Sequence, residues 1–156
     1  ISMLKPNYTS TLLFCIALIF TGCSNLESNE LKIGNTLTHK EHTTKIISIE
    51  TKTQLNEKQP KLPENQKYII ISLKITKLSK DSAIESEKFY LESKSGKLYK
   101  KPGSWGKVEV MGKMRDFIAS PGSNSFIRES NKILNIFFIV PKSTDTKGLF
   151  LKYQSK

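Results

Sequence analysis

The two histidines of the chain, His39 and His42, are the residues best suited to metal chemistry, with Glu41 between them. Two imidazoles and a carboxylate could bind zinc or copper. Their spacing brings both rings to one side only in a helix, whereas the surrounding sequence predicts a loop between two strands and offers no third ligand. We therefore interpret His39 and His42 as solvated loop residues, and we predict no metal site and no cofactor.

Patterns that support catalysis are missing from the sequence. No serine stands in a Gly-x-Ser-x-Gly turn, and the run Ser79-Lys80-Asp81 is typical of a polar turn. The 14 carboxylates include no pair that can be assigned to one cleft wall, as glycoside hydrolysis requires. No glycine-rich phosphate loop occurs. The sequence predicts a protein that is not an enzyme, and it indicates no small-molecule substrate.

A different reactive side chain is the thiol of Cys23. Lys5 and an apolar stretch at residues 12–20 precede it, which is typical of an export signal, and the stretch is too short to cross a bilayer as a helix of about 20 residues. The four residues Phe-Thr-Gly-Cys that end at Cys23 resemble the lipobox of bacterial lipoprotein precursors, although Phe20 stands where that family usually has leucine. The resemblance implies that the Cys23 thiol accepts diacylglycerol. An ordinary secretory signal with a chance cysteine is the alternative.

These features predict the organisation of the chain. Residues 1–22 are expected to form the lipoprotein signal peptide, with Met3 as the start. Residues 23–30 are expected to form a lipidated tether, and residues 31–156 one folded domain. No internal repeat and no second composition block divides that last stretch, whose length suits a single domain.

The same features predict where the protein resides. Cys15 leaves with the signal, so the mature chain would keep only Cys23 and no disulfide. The expected location is the cell envelope, on the extracytoplasmic side, with the membrane as a partner through the lipid on Cys23. Ser24 follows the cysteine where an aspartate often marks retention on the inner membrane. That favours the outer membrane if the organism is Gram-negative.

Basic charge is the one unusual bulk property. The net charge is +11 at pH 7, and an excess of positive charge attracts anionic partners. Lysines that protect edge strands, or the composition of an AT-biased genome, are an alternative explanation. Trp105 could anchor a binding surface from a flexible loop or cap the core. The candidate residues for an anionic partner such as lipid, glycan or DNA are Lys94, Lys97, Lys100, Lys101, Trp105 and Lys107.

Apolar residues alternate with a period of two, which predicts strands. In two of them with the clearest alternation, residues 67–75 and 132–140, Ile71 and Phe138 are expected to face the core. Glu85 to Lys88 could form one helical turn. Seven or eight short strands predict an all-β sandwich. The other predicted strands are residues 31–37, 43–53, 89–93, 98–100, 108–111 and 149–153. The predicted turns and loops are residues 60–65, 95–96, 102–103, 121–124 and 142–148.

The order of these strands resembles a family of bacterial extracytoplasmic immunoglobulin-like domains of unknown function, related in fold to a secreted mycobacterial immunogenic antigen. An apolar strand is followed by a strand-turn-strand with the pattern Phe89, Leu91, Gly96 and Tyr99. A Pro-Gly segment and two further strands follow. The resemblance implies an immunoglobulin-like β-sandwich outside the cytoplasm, and it implies no site.

Together these observations predict a membrane-anchored, non-catalytic binding or interaction module of the cell envelope. A structural accessory subunit of an envelope or secretion assembly is the first alternative, which would make another envelope protein the partner. A protein that binds an anionic polymer, through the lysines named above, is the second.

Overall fold

The computed structural model describes residues 29–77, 79–81 and 83–154, without the side chains of residues 108 and 109. The predicted signal and Cys23 lie outside these residues, so lipidation stays a prediction. The described part contains one 3₁₀ helix, Ser86–Lys88, and eleven strands. The strands are β1 (Thr36–Thr38), β2 (His42–Lys52), β3 (Gln66–Lys77), β4 (Ile84–Glu85), β5 (Phe89–Ser93), β6 (Leu98–Tyr99), β7 (Gly103–Val110), β8 (Lys113–Ala119), β9 (Phe126–Ile127), β10 (Lys132–Pro141) and β11 (Leu149–Tyr153).

The strands form antiparallel sheets that pack around one core. A six-stranded sheet has the order β1-β2-β3-β10-β7-β8, a three-stranded sheet the order β11-β5-β6, and β4 pairs with β9. Ile71 of β3 and Phe138 of β10 are buried in the core together with Leu91 of β5 and Leu151 of β11. The predicted all-β sandwich and the predicted inner faces of β3 and β10 are confirmed, although the structure has more strands than the seven or eight predicted.

The outer face of the six-stranded sheet carries a second, smaller apolar cluster. Tyr68 and Ile70 of β3 are buried there with Phe137 of β10. The segment that joins β2 to β3 folds over them and contributes Leu55 and Leu62. Because β3 and β10 lie in the middle of the sheet and are covered on both sides, both faces of these strands carry apolar residues.

The predicted strand boundaries fail most in one region. The predicted loop at residues 102–103 is wrong for Gly103, which begins β7, and the sequence does not predict β8. The sequence of β8, KMRDFIA, shows no clean alternation, and most of its side chains are exposed. In the N-terminal part, only Thr36 and Leu37 of the predicted first strand lie in a strand, β1, while Glu30 makes one bridge to Phe150. The predicted helical turn is confirmed as the 3₁₀ helix.

Candidate functional site

The structure splits the predicted anionic site between two sheets. Lys94 and Lys97 flank the β5–β6 turn, where Gly96 has a φ of +86°. The Lys97 ammonium lies 5.3 Å from the centre of the Tyr99 ring, and that of Lys100 lies 5.8 Å from the Tyr90 ring. All four lysines of this basic hairpin are exposed and lie on either side of the edge strand β6 in the sequence: Lys94, Lys97, Lys100 and Lys101.

The carboxylate of Glu92, close in sequence to this basic hairpin, is paired with a lysine of another strand. On the outer face of the small sheet, Glu92 of β5 forms an ion pair of 2.5 Å with Lys152 of β11. The pair uses a lysine of the neighbouring strand, not one of the four candidates. The hairpin therefore stays a solvent-exposed row of cations, and its role as an anionic site stays a prediction.

Trp105 and Lys107 lie in β7, on the other sheet. Trp105 is opposite Asn135 of β10 and Ile118 of β8, and it packs on the outer apolar cluster. It is half-buried within a strand, so the predicted flexible loop around it was wrong, as was its predicted role as a cap of the main core. It covers the second cluster instead.

Beside Trp105 the outer face opens into a groove, bounded by the β2–β3 segment on one side and by β7 and β8 on the other. Two adjoining cavities of about 770 and 250 Å³ form it. Three cations and one carboxylate line it, which gives it a positive surplus. Its lining includes Asn56, Lys58, Trp105, Lys107, Arg115, Asp116 and Ile118.

The Phe137 ring lies directly against Gly103 of β7. An added Cβ at Gly103 would lie 2.1 Å from Cζ of Phe137, so any side chain there would displace that ring. With Phe137 lying over Gly103, the outer cluster extends from β10 to Trp105.

The indole Nε1 of Trp105 is buried and has no hydrogen-bond partner among the described residues. A buried donor without an acceptor costs about 1–3 kcal/mol.

A separate cavity of about 570 Å³ lies at one end of the sandwich, and His39 and Tyr153 line part of it. The predicted solvated loop was wrong for His42, which begins β2 and is fully buried. Its Nδ1 lies 2.9 Å from Oγ1 of Thr44, and its ring stacks on that of His39 at 5.1 Å. The alternation of His42, Thr44 and Ile46 along β2 was the signal in the sequence for this burial.

Burial sets the charge state of His42. Together with a smaller effect of the neighbouring His39, it lowers the pKa of the imidazole from 6.5 to about 4. His42 is therefore neutral at pH 7. The Tyr153 ring meets it edge-on at 4.6 Å, and the Tyr153 hydroxyl accepts a hydrogen bond of 3.1 Å from the Glu85 amide. His42 thus fills core space as an aromatic side chain.

The histidine cavity has mixed charge. Glu85 forms an ion pair with Lys88 in its wall, and Arg128 places its guanidinium 5.7 Å from the Phe126 ring. Nowhere in residues 29–77, 79–81 and 83–154 do three histidine, cysteine or acidic side chains come together as metal ligands. Nor does this part of the chain hold a helix long and apolar enough to cross a membrane.

Comparisons with known proteins give a fold neighbour. No protein-family model and no curated protein matches the sequence. A solved structure that is similar is that of an uncharacterized β-sandwich protein from Clostridium difficile 630, with 17% identity and a TM-score of 0.45. The match covers 85% of this chain and 91% of that one. No activity and no functional residue is carried over from it.

Proposed function

We propose that the protein is a membrane-anchored extracytoplasmic lipoprotein whose β-sandwich is a non-catalytic binding module of the cell envelope. The anchor rests on the lipobox resemblance at Cys23. An anchor at Cys23 agrees with the fold because the chain from Cys23 to Glu30 is short and Glu30 already forms a bridge to β11. A tether this short would hold the module close to the membrane surface.

The observation that carries the binding function is the groove beside Trp105. It is lined by the half-buried Trp105 and by the cations Lys58, Lys107 and Arg115. Aromatic anchors beside cations bind anionic ligands with rings or oxygen-rich groups. We therefore place the ligand among anionic polymers of the envelope, with Trp105 and Lys107 as contact residues.

The anchor is tested by replacing its nucleophile. Cells that express the full chain are labelled with an alkyne analogue of palmitate, and the Cys23→Ala variant is compared with the parent. We expect label on the parent, none on the variant, and loss of the variant from the detergent phase. Equal label on both proteins would contradict lipidation at Cys23.

The groove is tested by charge reversals that change the net charge equally. Retention on heparin at rising salt is compared for three double variants: Lys58→Glu with Lys107→Glu in the groove, Lys97→Glu with Lys100→Glu in the basic hairpin, and Lys45→Glu with Lys74→Glu as the control. Salt weakens such binding because counterions compete for the polyanion. We expect the groove pair to lose the most retention.

The other outcomes of this comparison are equally informative. A selective loss in the hairpin pair would move the anionic site to β6. An equal loss in all three pairs would show that only bulk charge attracts the polyanion, and the groove would have no special role. Trp105 is the only tryptophan, so its emission reports ligand in the groove directly.

A second candidate function, an accessory subunit of an envelope assembly, is favoured by β8. This seven-residue strand is an edge of the six-stranded sheet within the described chain, and Phe117 on it is half exposed. An edge strand can pair with a strand of another protein. Replacing Phe117 by a photo-crosslinking residue in cells would identify such a partner, and the absence of a protein adduct would remove this candidate.

A further inference from the structure

The N-terminal tether enters the fold at a defined end of the sandwich. Leu151 donates its amide to the Asn29 carbonyl at 2.9 Å, and Leu31 donates to the Leu149 carbonyl at 2.8 Å. The chain therefore runs antiparallel to β11 and arrives from the side of Tyr153. Because the Tyr153 ring contacts His42, the first residue of β2, the tether arrives at the end of the sandwich where β2 begins.

Strand β7 runs toward the same end. His42 of β2 pairs with Lys77 of β3, and Lys132 of β10 pairs with Ile75, so β10 also begins there. β7 is antiparallel to β10 and pairs with it only from Gly103 to Trp105. Residues 106–117 pair with each other alone, as a hairpin that we call the arm.

The arm is long enough to pass the end of the sheet. From Trp105 to Met111 a strand rises by about 20 Å, whereas β10 continues by only about 10 Å from Asn135 to Lys132. The tip therefore extends about 10 Å beyond the sheet. Between Cys23 and Asn29 the extended chain spans at most about 20 Å. A lipid on Cys23 would hold the bilayer within reach of the tip.

The tip is apolar and exposed although its turn does not require an apolar residue, and only Met114 also lines the groove. Met111 is 98% exposed and Met114 63%. Met111 and Gly112 have φ of +52° and +71°, as in two-residue hairpin turns, whose first central position favours Asn, Asp or Gly. A methionine held there against the backbone preference, with exposed Lys113 and Arg115 beside it, matches the lipid–water interface.

We propose that the tip of the arm, residues 110–114, inserts into the interfacial layer of the bilayer that carries the Cys23 lipid. Met111 contacts the upper acyl chains, and Lys113 contacts anionic head groups. This rests on the proposed lipid anchor. It makes the arm a second attachment point, which fixes the orientation of the domain on the membrane.

Depth-sensitive fluorescence tests this insertion. Two variants of the full lipidated chain each move the only tryptophan: Trp105→Phe with Met111→Trp at the tip, and Trp105→Phe with Ile33→Trp as the control. Ile33 is also exposed but lies toward the opposite end, beyond the Leu31–Leu149 hydrogen bond. Both are reconstituted in phosphatidylethanolamine vesicles with a minority of phosphatidylglycerol and brominated acyl chains.

We expect bromine to quench the tryptophan at position 111 several-fold more than that at position 33. Equal or absent quenching would overturn the insertion. So would a photo-crosslinker at position 111 that captures a protein and no lipid, because the tip would then bind a protein partner.

The two proposals fail in distinguishable ways. If Cys23 carries no palmitate label, the anchor is wrong. The tip is then tested by coupling the unlipidated chain, with Cys15→Ala, to a maleimide lipid through the Cys23 thiol. Quenching confined to position 111 would support insertion of the tip, and an absence of quenching there would contradict it. If the label is present but position 111 is not quenched, only the insertion is wrong.

The Met111→Asn variant gives an independent check. Asparagine suits the turn better than methionine, so the urea midpoint should rise while vesicle binding of the Cys23→Ala chain falls several-fold. The Ile33→Asn control should bind vesicles as the parent does. A Met111→Asn variant with unchanged vesicle binding would contradict a role of the tip in the bilayer.

Discussion

The two faces of the six-stranded sheet are made of alternate residues from the same central strands but are covered differently. On the inner face, Ile71 and Phe138 meet a second sheet and are excluded from water. On the outer face, Ile70 and Phe137 are covered only by a connecting segment and by Trp105. The inner face therefore contributes most of the buried core, while the outer face is only partly covered and leaves a groove.

The largest expected effect is on the inner face. Phe138→Ala should lower the free energy of unfolding by about 3–5 kcal/mol, because it leaves a cavity where a buried aromatic ring stood. Ile133, on the same strand but 60% exposed, is the matched control. Ile133→Ala should change the free energy by about 0.5 kcal/mol or less. Urea denaturation of both variants measures this, and similar midpoints would contradict the assigned faces.

A pH-dependent loss of stability should come from the buried histidine beside the inner face. Since the pKa of His42 falls from 6.5 unfolded to about 4 folded, the unfolded state binds more protons between these values. Its contribution to stability is complete above pH 6.5 and is lost as the pH falls toward 4. By pH 4.5 the loss should reach about 2–3 kcal/mol.

Replacing the imidazole checks this assignment. His42→Phe should flatten the dependence of the urea midpoint on pH between 4.5 and 7. His39→Phe is the control variant, since it keeps the buried imidazole. A parent protein with no change in midpoint across this range would contradict the neutral, buried state of His42.

On the outer face, the close approach of Gly103 to Phe137 should be sensitive to one methyl group. Gly103→Ala should destabilise the protein by about 1–3 kcal/mol, because the new Cβ overlaps the Phe137 ring. A smaller residue at position 137 should make room, so adding Phe137→Leu should recover part of the loss. Gly106→Ala, where an added Cβ meets no atom within 4 Å, serves as the control.

The smallest effect is expected in the cover of the outer face. Leu62 is only partly buried, so Leu62→Ala should cost about 1 kcal/mol, less than substitutions in the inner core. The same change should expose the Trp105 ring and shift its emission to longer wavelength. A loss as large as that of Phe138→Ala would mean that the outer face is a core in its own right.

The sequence was most informative where one physical effect dominates. Alternation in β3 and β10 predicted the inner face, because burial against a second sheet selects every other residue. β8 was not predicted because most of its side chains face solvent. Exposed strands need no alternation of apolar and polar residues. For the site, the clustering of lysines along the chain was a poor guide. Trp105 and Lys107 follow the hairpin closely in sequence, but Pro102 marks the crossing to the other sheet.

The entry of the chain beside β11 has a mechanical consequence. A pull on the tether acts along residues 29–31, parallel to the neighbouring strand, and so loads the hydrogen bonds of Leu31 and Leu151 together. Bonds loaded together in shear resist force better than bonds opened one after another. A domain connected in this way keeps residues 29–31 paired with β11 when a force acts along that strand.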